Sequence, residues 1–478
     1  MQSLLYIIGA TLVCVAILSA VTHVVMDNRQ PAKTMAWVLV IVFLPMVGIV
    51  LYLFFGINHR RERLISQRSI DQLTKRSMLS FVEQHNLIVP ERHKQLVDLF
   101  VNQSFSLPFK NNQIDIMTDG YAFFPALLKD IAQAKHHIHI DIYIFEDDAL
   151  GYMIADALID KARQGIHVRI IYDDVGCWRV EHRFFERMRE EGIEVAPYLP
   201  VRFPSFTSKV NYRNHRKLVI IDGKVGYIGG MNIALRYVKG TTEQSWRDTM
   251  LRLTGGAVYG LQRAFLVDWY FVDRTLITDL IYYPPFSEIE SQTSNNCLTQ
   301  IVTSGPTNPY PEIMQGYVRI IQSAHRYIYI ETPYFLPNEP VLFALKTSAM
   351  AGVDVRILCP CCPDSRFVEW ASRSYLREAH EAGVEIYLYQ SGFLHSKLMV
   401  CDDALTTCGS TNVDFRSFEN NFEANAFIYD EGMALRMKSI FLKDQESAIP
   451  LSDLPQRVHP HFWHRLGESL TRLFSPLL

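Results

Sequence analysis

Cysteine is scarce in this chain: eight among 478 residues, too few for the disulfide framework of a small secreted domain. Three of them, Cys359, Cys361 and Cys362, cluster as CPCC. No second Cys or His pair stands at zinc-ligand spacing, so a structural role is expected there and no metal. A basic excess is also missing. Lys and Arg number 47 against 50 Asp and Glu, a net charge of −3. Proteins that bind polyanions carry a basic footprint, so nucleic acid is disfavoured as a partner. Charge is absent altogether from residues 4–26 and 35–56.

Each of those uncharged stretches is long enough to cross a hydrocarbon core of roughly 30 Å as a helix. A cleaved signal peptide is the rival for the first, but MQS offers no positive n-region. The sequence therefore predicts a two-helix transmembrane hairpin over 1–56, with Pro45 tolerated inside the second helix. Arg60, Arg61, Arg63 and Arg68 follow the second segment, against Arg29 and Lys33 in the turn. The positive-inside rule then puts the N-terminus and the large remainder on the cytoplasmic side of a multi-pass protein.

Beyond a mixed, helical connector at 57–110 the chain says the same thing twice. HHIHIDIYIF (136–145) corresponds to RYIYIETPYF (326–335). KARQGIHVRIIYDD (161–174) corresponds to SAMAGVDVRILCPC (348–361), each a helix end, a Gly stop and a buried strand. EGIEVAPY (191–198) matches AGVEIYLY (382–389). Alternating strands and helices imply an α/β fold of two repeated lobes, mixed sheets flanked by helices, at 111–290 and 291–440. A Pro-rich stretch at 282–296 is the expected boundary.

One phrase closes each repeat: HRKLVIID at 215–222 and HSKLMVCD at 395–402, followed by GGMN at 229–232 and GSTN at 409–412. On a strand, residues two apart share a face, so each His stands beside its Lys. If the lobes face each other, two imidazoles, two ammonium groups and two amides converge. One imidazole can attack phosphorus and split a hard substitution into two easier steps. The other can protonate the departing alkoxide and later deprotonate the incoming hydroxyl. Lys217, Lys397, Asn232 and Asn412, with Ser410 in the second copy only, would donate to the phosphoryl oxygens. Fixed cations neutralise the charge, so no cofactor is expected.

This doubled phrase resembles the HKD motif of the phospholipase D superfamily, and its surroundings resemble the bacterial cardiolipin synthases within it. NHRKLVIIDGKVGYIGGMNI with WRDTMLRLTGGAVYGLQRAF, and SRSYLREAHEAGVEIYLYQSGFLHSKLMV, carry that likeness, as does AWVLVIVFLPMVGIVLYLFFG. TGGAV at 254–258 departs from it where many members have Gly-Pro. The resemblance implies His215, Lys217, Asp222, His395, Lys397 and Asp402 as the catalytic set. The two Asp look more structural than the His and Lys. It implies His215 as nucleophile, His395 as acid/base, and Asp248 and Glu423 as acids that orient the imidazoles. It also implies phosphatidyl transfer between two phosphatidylglycerols, giving cardiolipin and glycerol, in a bacterial inner membrane. Alternatives stay open: a membrane phospholipase D, a synthase using phosphatidylethanolamine as donor, a nuclease, or a scaffold with a vestigial pocket. Loss of turnover in Lys217→Ala would exclude the scaffold.

The tail, 441–478, has Phe462, Trp463, Leu466, Leu470, Leu473 and Phe474 at helical spacings. Two readings stand for such an amphipathic helix: rest in a membrane interface, or packing on the catalytic body.

Overall fold

The computed structural model describes residues 2–27, 31–56, 89–201, 211–241, 245–285, 288–289 and 297–475. Arg29, Arg60, Arg61, Arg63 and Arg68, on which the orientation rests, lie outside them. So do most of the connector and of the 282–296 boundary. Two units emerge, one of them holding residues 1–62 and the other most of the remainder.

In the N-terminal unit the first apolar stretch forms the helix Gln2–Met26. Its Tyr6–Met26 part is long and apolar enough to cross a membrane. The second stretch is broken. Pro31–Phe43 ends at Leu44, whose φ of −130° and ψ of 63° leave the helical region, and Pro45–Leu51 begins anew. Proline lacks an N–H and pushes the residue before it out of the α region, which accounts for the break. The expected single second span is thus two shorter helices. Val24, Ile41 and Tyr52 pack together between the segments.

The larger unit is built on one mixed sheet of 16 strands. The repeat is visible in strand order. The first lobe runs Glu194–Tyr198, His167–Asp173, His137–Ile142, Lys217–Ile221, Val225–Gly229, Met250–Thr254, Pro108–Met117. The second runs Glu385–Tyr389, Asp354–Pro360, Tyr327–Glu331, Leu398–Cys401, Leu405–Gly409, Asn421–Tyr429, Cys297–Ser304 in the same order. The lobes join where Pro108–Met117 pairs antiparallel with Cys297–Ser304. The expected lobes are therefore halves of a continuous sheet. Apolar helix faces cover it, with Ile154, Leu158 and Phe184 in one core and Ile313, Leu345 and Ala379 in the other. The helix Glu91–Ser104, from the predicted connector, buries Leu96, Val97 and Phe100 in the second lobe's core. The helix Glu431–Gln445 and strand Ala448–Pro450 extend that lobe past 440, into the predicted tail.

The motif aspartates explain the hairpin geometry. Asp222 (φ 54°) and Gly223 (φ 63°) turn the first motif strand, and Asp402 (φ 52°) and Asp403 (φ 56°) turn the second. Asp222 carboxylate oxygens accept from the backbone N–H groups of Lys135, His136 and His137 at 2.8, 2.7 and 3.0 Å. Asp402 accepts from those of His325, Arg326 and Tyr327 at 2.7, 2.8 and 2.8 Å. Each ties its turn to the start of the neighbouring strand. Asp222→Ala should therefore destabilise the protein by roughly 2–3 kcal/mol, through lost charge-assisted bonds and a left-handed Ala. Unfolding followed by circular dichroism checks this, with per-molecule turnover largely kept below the transition.

Candidate active site

The motif segments bring their histidines together at the seam between the lobes through an exchange of short strands. The short strand Arg213–Asn214 runs parallel to Asn421–Phe422, and Phe393–Leu394 runs parallel to Trp246–Arg247. His215 N–H consequently donates to the carbonyl of Phe422 at 2.9 Å, and His395 N–H to that of Arg247 at 2.7 Å. The residue after each carbonyl is the acid of the other lobe. His215 Nδ1 lies 3.0 Å from Glu423 Oε1, and His395 Nδ1 lies 2.6 Å from Asp248 Oδ2. A carboxylate on Nδ1 fixes the tautomer that keeps the lone pair on Nε2. Each imidazole retains about a tenth of its surface, with side-chain exposures of 11% and 10%.

Lys217 and Lys397 are almost wholly buried. Lys217 Nζ donates to the carbonyl of His215 at 2.6 Å and lies 5.1 Å from the ring centre of Tyr143. Lys397 Nζ bonds the carbonyl of His395 and stands 2.8 Å from His395 Nδ1. Burial pushes the lysines down to about 7 and about 8. Burial and the adjacent ammonium groups push His215 down to about 4 and His395 to about 3. Burial alone would raise Asp248 and Glu423, but the cations and imidazoles around them outweigh it and hold both below the ordinary range. The charges of each lobe also act on the other's histidine, so the six groups form one electrostatic unit.

Other expected residues take different places. Asp222 and Asp402, expected in the catalytic set, spend their carboxylates on backbone amides at the strand ends and, among the described residues, make no bond to an imidazole. They are structural. Ser410, expected on phosphate, gives its hydroxyl to Glu423 and accepts from Ala424 N–H at 3.0 Å. Gly230 stands opposite in the repeat, and a Cβ there would collide with the Asp248 carboxylate. The halves thus differ for a steric reason: Asp with Gly, Glu with Ser. Asn232 accepts from Ile144 N–H at 3.1 Å and donates to Tyr237 Oη at 2.8 Å. Asn412 donates to Asp414 at 2.9 Å.

The sequence reading missed the aromatic walls. Tyr143 packs edge-on to His215 with ring centres 4.9 Å apart, while Trp246 and Phe393 stand 5.6 Å from His395. Tyr143 lies in a segment already singled out as half of the repeat. Its counterpart there is Pro333, so the repeat carries no trace of the role. Among the described residues no group of His, Cys, Asp and Glu is disposed to hold a metal ion.

Two paired His-Lys strands in a duplicated α/β sheet define a phospholipase D-like protein. A crystal structure of phosphatidylserine synthase from Haemophilus influenzae has the same fold, with a TM-score of 0.60, 15% identity, and coverage of 81% of this chain and 100% of that one. The cardiolipin synthase PLD-like domain matches residues 127–252 and 317–445, and the phospholipase D-nuclease N-terminal region matches 12–56. Cardiolipin synthase of Oceanobacillus iheyensis is 38% identical, with 96% of each chain covered. The major cardiolipin synthase ClsA of Bacillus subtilis is also 38% identical, over 97% of each. This chain belongs to the cardiolipin synthase family. It is a membrane-associated phosphatidyltransferase by that membership, in keeping with its N-terminal apolar helix.

Proposed function

We propose that the chain joins two phosphatidylglycerols into cardiolipin and releases glycerol. The observation that carries this reading is the pair of walled-in imidazoles, each with a carboxylate on Nδ1 and a lysine beside it. His215 Nε2 attacks the phosphorus of the first phosphatidylglycerol. The bond from phosphorus to the headgroup oxygen breaks, and His395 protonates the departing glycerol. His395 then takes the proton from a headgroup hydroxyl of the second phosphatidylglycerol. That oxygen displaces His215 from phosphorus, and the next cycle begins.

The first proton on His395 comes from solvent, and charge draws it there. With Lys217, Lys397, Asp248 and Glu423 all ionised their charges cancel, so a bound phosphodiester leaves one negative charge in excess. That excess favours protonation of His395, which is neutral in the empty site. Tyr143, Trp246 and Phe393 limit water at the intermediate and so favour transfer over hydrolysis.

The lysines set a pH limit. Both are charged below, and lose charge above, about 7 and about 8. kcat/KM should therefore fall as pH rises through that window, because the free enzyme loses its hold on phosphate. kcat at saturating phosphatidylglycerol should persist to higher pH, since a bound anion raises both lysines. Profiles in mixed micelles of constant composition check this, and coincident limbs would reject it.

The N-terminal apolar helices form a membrane hairpin in this reading, with the catalytic unit on the cytoplasmic side of the bacterial inner membrane. Detergent-purified protein with labelled phosphatidylglycerol tests the reaction. Cardiolipin with free glycerol supports it. Phosphatidic acid alone would make the chain a phospholipase D, and cardiolipin formed only with added phosphatidylethanolamine would change the donor.

A further inference from the structure

The C-terminal helix Phe462–Arg472 is docked through its polar side. Glu468 is its buried residue, 3% exposed, and accepts from Arg377 at 2.8 Å. Arg472 donates to Glu378 at 2.6 Å and covers the ring of Tyr375 at 4.0 Å. Gly467 lies flush on Trp370, where a Cβ would collide with the indole. These contacts fix the helix against Arg366–Glu381 and settle which face looks outward.

That outward face is apolar. Trp463 is 77% exposed and Leu473 73%, with Phe462, Leu466, Leu470 and Phe474 exposed beside them. Phe474 continues the surface to the exposed Phe367, their rings 5.9 Å apart. The border carries a cation, the exposed Arg465, and polar His459, His461 and His464, and between 454 and 478 the sole carboxylate side chain is the buried Glu468.

We propose that this face seats the catalytic unit in the interface of an anionic phospholipid bilayer. An exposed stripe of Trp, Phe and Leu with Arg at its edge and no free carboxylate suits that environment. A second copy would bring an edge that has Arg465 and no exposed carboxylate side chain of its own against itself, whereas lipid phosphates complement that arginine. The inference concerns where the catalytic unit sits and does not depend on which lipid reacts.

The test uses the full chain in vesicles containing or lacking phosphatidylglycerol, with exposed Cys14 and Cys362 changed to Ser and a polarity-sensitive dye on Trp463→Cys. The expected result is a blue-shifted emission quenched by spin-labelled lipids, stronger in anionic vesicles. A dye open to aqueous iodide would overturn the proposal, and so would a blue shift that lipid quenchers leave untouched, which would mean a protein partner. Equal quenching in neutral vesicles would overturn the choice of an anionic surface. Independently, Leu466→Ser/Leu470→Ser/Leu473→Ser should melt as wild type does and raise the KM for surface lipid about tenfold at unchanged kcat. An unchanged KM would also overturn it.

Discussion

His215→Ala is expected to lower cardiolipin formation by about 10⁴–10⁶-fold, the scale seen when a covalent nucleophile is removed. Alanine takes away the attacking Nε2. Below about 7 Lys217 is a cation with no lone pair to attack with, held on the carbonyl of His215 and above the ring of Tyr143. Loss of turnover alone would not distinguish the two histidines, since removing either partner of a two-step exchange stops the cycle. A substrate with an acidic leaving group, such as phosphatidyl-p-nitrophenol, separates them. That leaving group needs no proton, so His395→Ala should still release one equivalent of nitrophenol and hold the phosphatidyl group on His215. His215→Ala should give no burst. The opposite pattern would exchange the two roles.

Asp248→Asn should cost about 10³–10⁴-fold in kcat, with little change in fold, by letting His395 adopt the wrong tautomer. Asp248 is fully buried, 2.6 Å from His395 Nδ1 and 4.0 Å from Lys397, and accepts from its neighbour Thr249 N–H at 2.7 Å. The amide keeps the shape but offers a donor where an acceptor is required. Because Asp248 acts through His395, its loss should shrink in the nitrophenol burst, where no proton is transferred. Combined with His395→Ala it should add almost nothing. A full loss in the burst would instead place Asp248 with the nucleophile. Glu423→Gln should show the reverse dependence, since Glu423 serves His215 across the lobes.

The sequence determined the chemistry and most of the scaffold. The His-x-Lys spacing sets imidazole beside ammonium, although both histidines lie just before the strands Lys217–Ile221 and Leu398–Cys401, and the internal repeat predicts two lobes; in the structure their strand orders coincide. Local patterns carry such information because alternation and turn residues act over a few positions. The tertiary structure decided what depends on distant pairing. His215 and Glu423 are 208 residues apart and His395 and Asp248 147, so only the strand exchange between lobes assigns each acid to its imidazole. Within the second lobe, pairing of Leu405–Gly409 with Asn421–Tyr429 sets Ser410 on Glu423, whereas in the first lobe Asp248 leaves room only for Gly230. The tail follows this rule too. Its spacing makes it amphipathic, but burial of Glu468 on Arg377, a contact over 91 residues, together with the seating of Arg472 and Gly467 determines that the apolar face points outward.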